Sequence, residues 1–357
     1  MKKNALLAPV LLSVSALALA GCASGASSTD AGSTSAASGG LKVVATTTQV
    51  ADFTREIAGD AASVTQLIQP NQSAHSYDPS AADLSALASA DVLVINGAGL
   101  EEWLDDAISA SGFDGVTIDA STGIQLSEEA AGDDHAHAEG DAHAEGDDHA
   151  HEEGEAHEEG DDHAHEGGNP HIWTDPARAE QMVATIEAGL AAADPAAASD
   201  FTSNADAYEK KLAELDSWIR ENVDLVPADK RLLVSNHDAF TYFVDAYGNT
   251  YVGSVIPSFD DNAEPSAAQI DELVAAIKAT GVKAVFSEAS ISPKAADTIA
   301  SEAGVKVYSG DEALYGDSLG PAGSDGATYL DSQIHNATVI LESWGATPSA
   351  LPADLED

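Results

Sequence analysis

The stretch LKVVATTTQVADFTREIAGDAASVTQLI, residues 41–68, indicates the fold class of this 357-residue chain. Two short apolar runs, 42–46 and 63–67, flank an amphipathic segment, which is the pattern of a strand, a helix and a second strand. Units of this kind pair their strands in parallel sheets. The same alternation predicts six further strands at residues 92–95, 116–118, 231–235, 251–256, 283–287 and 305–308.

The predicted strands fall into two groups of four, with a helical region between them. We therefore expect an α/β fold of two lobes, at residues 41–195 and 229–357, each with a mainly parallel four-stranded sheet. Residues 177–223 have apolar side chains at helical spacing, Pro195 should interrupt the helix, and residues 196–228 should connect the lobes. A cleft between two lobes is a common site for a small ligand.

The charge balance restricts the possible partners. The chain has 14 Lys and Arg residues against 61 Asp and Glu residues, a formal net charge of −47, and residues 56–177 contain no Lys or Arg. Nucleic acids and anionic membrane surfaces are poor partners for such a chain, because they are bound through clustered Lys and Arg, and we expect no nucleic-acid partner. The acidic field favours a cationic ligand.

The amino terminus indicates the compartment. Two lysines precede an apolar run at residues 5–20 that is too short to span a bilayer, so residues 1–21 are predicted to be a secretory signal peptide. The run ends in Leu-Ala-Gly-Cys, which resembles the lipidation signal of bacterial lipoproteins. Cys22 would then carry the lipid, and the Ser/Gly-rich residues 22–40 would be a tether. We expect an extracytoplasmic protein anchored to the cell membrane; an ordinary signal peptide with a coincidental cysteine is the alternative.

Residues 132–168 repeat a phrase of the type GDDHAHAEG every 14 residues and have nothing apolar enough to form a core. We predict a disordered surface loop there. Imidazoles beside carboxylates bind divalent metals, so the loop could capture several ions weakly, and a solvated acidic spacer is the other interpretation. The histidines of the repeat are His135, His137, His143, His149, His151, His157, His163 and His165.

Three of the other four histidines follow predicted strands or precede the predicted helical region. His75 lies in HSYDPS, His171 in NPHIWTDP and His237 in SNHDAFTYF. Open α/β sheets bind ligands beyond the carboxyl ends of their strands, so these three are the candidate site residues. His335 lies in an apolar-periodic final helix and is interpreted as a surface or core residue.

Together with FSEASISPK, GAGLEEWLDD and LYGDSLG, these motifs resemble the lipoproteins that bind zinc or manganese for ABC importers (the cluster A-I solute-binding proteins). The likeness runs from residue 41 to about residue 344 and is greatest for the zinc-uptake proteins that have a His-rich loop. It implies two βα lobes joined by a long, rigid helix, with one metal ion buried between them. It also implies an ABC permease as partner, with His75 and His171 as amino-lobe ligands and His237 and Asp317 as carboxy-lobe ligands.

Three imidazoles and one carboxylate suit tetrahedral Zn²⁺, whereas manganese prefers more oxygen ligands. In the manganese-specific relatives a Glu typically stands where this chain has His237. The resemblance and this chemistry predict a zinc receptor that delivers the ion to a permease and is not an enzyme. The alternatives are a manganese receptor of the same family, a zinc hydrolase with water at the fourth position, and a metal-buffering surface adhesin.

Two carboxylates have more than one interpretation at this stage. Asp317 could be a metal ligand or could cap the turn that follows it. Glu288, after the predicted strand at 283–287, could orient a ligand imidazole or could be a surface carboxylate at a strand end.

Overall fold

Strands and helices alternate along the chain. The computed structural model describes residues 40–127 and 168–356, so Cys22, the predicted signal peptide and tether, and the eight histidines of the repeat lie outside the described residues. The described strands are β1 (Leu41–Ala45), β2 (Ala62–Gln66), β3 (Val92–Ile95), β4 (Val116–Asp119), β5 (Leu232–Ser235), β6 (Thr250–Ser254), β7 (Ala284–Phe286) and β8 (Lys306–Tyr308). The described helices are α1 (Thr48–Ala58), α2 (Ala81–Leu87), α3 (Leu104–Ser111), α4 (Pro176–Ala193), α5 (Ala198–Asp224), α6 (Thr241–Tyr247), α7 (Ala267–Thr280), α8 (Lys294–Ala303) and α9 (Tyr329–Ser343).

The amino-terminal half contains the expected four-stranded parallel sheet. Its strand order is β2-β1-β3-β4, and Val43 of β1 pairs with Val64 on one side and Val92 on the other. The central strands β1 and β3 are almost entirely buried, as expected for strands with helices on both faces. Because all four strands run the same way, the loops after β1, β2 and β3 meet at one edge of the sheet.

In the carboxy-terminal half, the strands pair differently from the expectation of one four-stranded sheet. Among the described residues they form two parallel pairs, β5 with β6 and β7 with β8. The β5–β6 register shifts between Leu233 and Val234, and Gly253 in β6 has a φ of 145°, which favours glycine. Strand β7 contacts β5 without forming a hydrogen-bonded ladder with it. Apolar periodicity predicted the strands within two residues but could not specify this register.

Two helices connect the halves. The Asp175 side chain accepts a hydrogen bond from Ala177 N and caps α4, which begins with Pro176. Helix α4 ends before Pro195, and α5 then runs for 27 residues, about 40 Å, with its apolar face buried. No helix in the described ranges is both long and apolar enough to cross a membrane.

One hydrophobic core extends through both halves. It includes Phe53 of α1, Leu212 of α5 and Phe286 of β7, each with no exposed surface. Each half also has one smaller apolar cluster, which includes Leu93 in the amino-terminal half and Val285 in the carboxy-terminal half. Because the halves share a close-packed core, the described residues of both halves form one compact unit.

A buried carboxylate organises the loops at the carboxyl edge of the amino-terminal sheet. Glu101 accepts hydrogen bonds from Thr46 Oγ1 at 2.6 Å, Asn96 N at 2.7 Å and Gly97 N at 3.1 Å, which joins the ends of β1 and β3. Burial raises the pKa of Glu101 to about 7, against the effect of these hydrogen bonds.

Candidate metal centre

His75 lies in the loop between β2 and α2. Trp103 Nε1 donates to Ala74 O at 2.9 Å, and Ser80 forms a capping box with Asp83 at the start of α2, so both ends of this loop are held. The His75 backbone N–H donates to Ser73 Oγ at 3.2 Å. The imidazole is 6% exposed, whereas the other three side chains of the cluster described below are fully buried.

His171 lies just before α4, in the segment that returns to the described fold at residue 168. Its backbone N–H donates to Asn169 Oδ1 at 3.0 Å, and its ring Nδ1 lies 2.7 Å from the same oxygen. The ring packs edge-on against Trp173 at a centroid distance of 5.2 Å. These contacts direct Nε2 of His171 away from Asn169.

His237 follows β5, and Glu288 follows β7, so the two lie beyond neighbouring strands. Glu288 Oε1 lies 2.7 Å from His237 Nδ1 and also accepts the His237 backbone N–H at 3.2 Å. Glu288 is 2% exposed, which contradicts its interpretation as a surface carboxylate. The carboxylate holds the His237 ring with its Nε2 directed away from Glu288.

Asp317 follows β8 in a segment that is bonded to the amino-terminal half. The carbonyl oxygen of Gly316 accepts from Gln49 Nε2 at 3.2 Å and from Trp173 Nε1 at 3.0 Å, and Leu319 N donates to Thr48 Oγ1 at 2.8 Å. The Asp317 carboxylate does not cap the following turn, because no backbone N–H of the described residues donates to either of its oxygens.

The structure brings His75, His171, His237 and Asp317 together, with one potential ligand atom of each within 4.8 Å of the others. Nε2 of His171 lies 3.3 Å from Nε2 of His75 and 3.2 Å from Nε2 of His237. Asp317 Oδ1 lies 3.0 Å and 3.2 Å from Nε2 of His171 and His237, and Oδ2 lies 3.6 Å from Nε2 of His75. A tetrahedron with metal–ligand bonds of about 2.0–2.2 Å has edges of about 3.3–3.6 Å, close to these separations.

The electrostatics of the cluster favour a positive charge among these atoms. Burial lowers the pKa of His171 to about 4, against the attraction of Asp317. Burial also lowers the pKa of His237, but the carboxylates of Asp317 and Glu288 outweigh it and hold the pKa well above its usual value. Burial raises the pKa of Asp317, yet the rings of His237 and His171 outweigh it and hold this pKa well below its usual range.

The donor set fits a divalent cation. Among the described residues, the only polar side chains close to the buried Asp317 oxygens are the three imidazoles, and no backbone N–H donates to either oxygen, although buried polar atoms are normally hydrogen-bonded. Three imidazole nitrogens and a carboxylate directed at one point would repel each other without a cation between them. Zinc, manganese and similar ions accept this set of ligands.

The structure also shows contacts that sequence reasoning missed. Asn169 contacts the His171 ring, and Ser73 Oγ donates to Asp261 Oδ1 at 2.9 Å beside His75. Asn169 lies within the NPHIWTDP motif, so its position two residues before a candidate ligand was the available signal; no sequence signal identified Asp261. His335 lies in α9, outside the cluster, and its Nε2 donates to Ala313 O at 2.9 Å.

Comparison with known proteins identifies the family. A family profile described as "ZnuA: Zinc-uptake complex component A periplasmic" matches residues 43–343. The chain belongs to this family. Among curated family members, it is 30% identical over 332 residues to the manganese-binding lipoprotein MntA of Halalkalibacterium halodurans, covering 93% of this chain and 96% of MntA. It is 32% identical over 274 residues to the zinc-binding lipoprotein AdcA of Streptococcus pneumoniae, covering 76% of this chain but only 49% of AdcA.

Solved structures of similar proteins have the same two-lobe fold. The periplasmic zinc-binding protein TroA from Treponema pallidum has a TM-score of 0.69 and 25% identity, covering 86% of this chain and 99% of TroA. A manganese-bound periplasmic metal-binding protein from Candidatus Liberibacter asiaticus has a TM-score of 0.68 and 22% identity, covering 85% and 99% of the two chains, and shows likeness of fold only. This chain is therefore a ZnuA-family member of the TroA-like fold.

Proposed function

We propose that this ZnuA-family chain is an extracytoplasmic receptor of an ABC importer, anchored through a lipid on Cys22, which captures Zn²⁺ and delivers it to a membrane permease. His75, His171, His237 and Asp317 would be the four ligands. The observation that supports this proposal is the convergence of one donor atom from each of them within 4.8 Å. A preformed, buried site can bind an ion tightly because its ligands are already ordered.

The geometry supports binding rather than catalysis. A hydrolytic zinc site uses three protein ligands and keeps the fourth position for water. Here the Asp317 carboxylate lies 3.0–3.6 Å from all three imidazoles, so it would occupy the fourth position. Glu288 would orient His237 through Nδ1, as carboxylates commonly do for metal-bound histidines.

Zinc rather than manganese is our proposal for the cargo. The relatives include a manganese-binding and a zinc-binding lipoprotein, so membership of the family is compatible with either ion. The ligand chemistry favours zinc, because three of the four donors are imidazoles and manganese prefers oxygen. The histidines of the 132–168 repeat would add weak, exchangeable sites for the same ion.

The test is a competitive titration of the metal-free protein with Zn²⁺ and Mn²⁺, repeated on His237→Glu. The parent should prefer zinc, and His237→Glu should shift the ratio of the two affinities toward manganese because an imidazole is replaced by oxygen. His335→Ala is the matched control, since this histidine is outside the cluster. A parent that prefers manganese would identify a manganese receptor, and one that binds neither ion tightly would exclude the proposed receptor.

The same preparation tests catalysis. A structure of the zinc-loaded protein with water in place of Asp317, together with hydrolysis that requires zinc, would favour the enzyme.

A surface adhesin or metal buffer is tested by deletion of residues 133–166. Such a protein would lose nearly all of its metal binding, whereas the proposed receptor would keep one tight site.

A further inference from the structure

Asn169 connects the surroundings of two of the proposed ligands that come from different halves. Its side chain contacts the ring of His171 on one side and the segment just after His237 on the other. We propose that Asn169 is a positioning residue, an inference that rests on the proposed function. Asn169 determines which ring nitrogen His171 presents to the metal, and it joins the His171 segment to the His237 segment.

The orientation of the Asn169 amide is determined by its neighbours. Its Nδ2 lies 3.1 Å from the backbone oxygen of Asp238, which can only accept, so this atom must be the amide nitrogen. Its Oδ1 receives the backbone N–H of His171 at 3.0 Å, which can only donate. The two amide ends are therefore assigned independently, and both assignments agree.

This orientation selects one tautomer of His171. The Asn169 oxygen has no proton to give, so the 2.7 Å contact with Nδ1 is a hydrogen bond only when Nδ1 carries the proton. In the neutral ring Nε2 then has the free lone pair, and Nε2 is the atom that faces His75, His237 and Asp317. Asn169 thus prepares the neutral form that can bind a metal ion.

The amide nitrogen makes the second connection. Besides Asp238 O it donates to Thr241 Oγ1 at 3.0 Å, and the Thr241 hydroxyl donates in turn to Asp238 Oδ1 at 2.8 Å. Asn169 and Thr241 are both almost completely buried, so these bonds are shielded from water. Residues 238–241 directly follow His237, so a single side chain fixes the spacing between the His171 and His237 segments.

The experiment compares three variants of the full chain. Asn169→Ala removes both connections, and Asn169→Asp keeps an oxygen toward His171 but sets the other oxygen against Asp238 O. Asn96→Ala is the matched control, because this buried asparagine donates to Pro170 O in the same segment without touching a candidate ligand ring. The readouts are the ¹⁵N shifts of the His171 ring in the metal-free protein, which report its tautomer, and the affinity for zinc alone.

Asn169→Ala should convert His171 from one tautomer to a mixture and weaken zinc binding about 10- to 100-fold. Asn169→Asp should keep the tautomer and still lose affinity, and Asn96→Ala should leave the tautomer unchanged. Unchanged His171 shifts in Asn169→Ala would overturn the proposal, as would equal shift changes in Asn96→Ala.

A second variant covers the case in which Asn169→Ala does not fold. Thr241→Val removes one acceptor of the Asn169 amide nitrogen, so it should leave the His171 tautomer unchanged and lower the affinity for zinc. If both Thr241→Val and Asn169→Asp bind zinc as tightly as the parent, the positioning role of Asn169 is wrong. The tautomer is measured without metal. A parent that bound no zinc would therefore refute the proposed zinc-receptor function, and the ring shifts would still decide whether Asn169 sets the His171 tautomer.

Discussion

Replacement of Gly316 by alanine should weaken metal binding through Glu288, because the three atoms nearest to the new methyl group all belong to the Glu288 side chain. Gly316 does not have a positive φ, so its backbone accepts alanine. A Cβ at this position would collide with Glu288 Oε2 and lie 2.8 Å from Glu288 Cδ. To reach ordinary contact distance, Cδ would have to withdraw by at least about 0.6 Å and the nearer atom, Oε2, by more than about 1 Å.

That withdrawal should cost the hydrogen bond to His237. The present Oε1···Nδ1 distance of 2.7 Å would pass beyond the range of a good hydrogen bond, and Glu288 has no room to move without losing it because it is buried. Loss of such a carboxylate partner typically lowers metal affinity 10- to 100-fold, or about 1.4–2.8 kcal/mol. We expect Gly316→Ala to fall in this range in a zinc titration against a chelator.

The reasoning is tested by a double-mutant cycle with Glu288→Ala. Glu288→Ala should itself lower zinc affinity, and once the carboxylate is gone Gly316→Ala should cost less than about 0.5 kcal/mol more. The unfolding midpoints of all variants should be measured, so that a general loss of structure is recognised. If Gly316→Ala costs the same with and without Glu288, the proposed route through His237 is wrong.

Three further outcomes are expected. Burial raises the pKa of Glu101 from 4.5 to about 7, so between these pH values the folded state binds more protons than the unfolded state. The free energy of unfolding should therefore fall by about 3 kcal/mol as the pH rises from 4.5 to 7. In urea unfolding measured against pH, Glu101→Gln should remove most of this decrease. Asp261→Ala removes the 2.9 Å hydrogen bond between Asp261 and Ser73, which lies beside His75. The rate of metal release, measured by stopped-flow mixing with a chelator, should rise about fivefold. An unchanged rate would show that this hydrogen bond does not slow release. Deletion of residues 133–166 should leave one tight zinc site in calorimetry, because every residue of the cluster lies outside the deletion, and loss of that site would favour the metal buffer.

Local sequence patterns predicted the features that depend on short-range chemistry. Apolar runs identified the strands, and the positions after strands identified His75 and His237 because parallel strands end at a common edge. The contacts of Asn169 depend on Thr241, 72 residues away, and those of Asp261 on Ser73, 188 residues away. Such partners are selected by tertiary packing, which no local periodicity encodes. The pairing of β5 to β8 was also unpredictable, because it depends on a register shift and not on apolar character.

The backbone N–H of Asn169 donates to Ser127 O at 2.8 Å, and Tyr242 links both residues through its hydroxyl group. The polypeptide therefore departs from and rejoins the described fold at almost the same point, only two residues from His171. A foreign domain inserted between Ser127 and Asn169 would have its two attachment points already close together. A fluorescent protein inserted there would be attached next to the proposed metal site, which makes this junction a place to build a genetically encoded sensor.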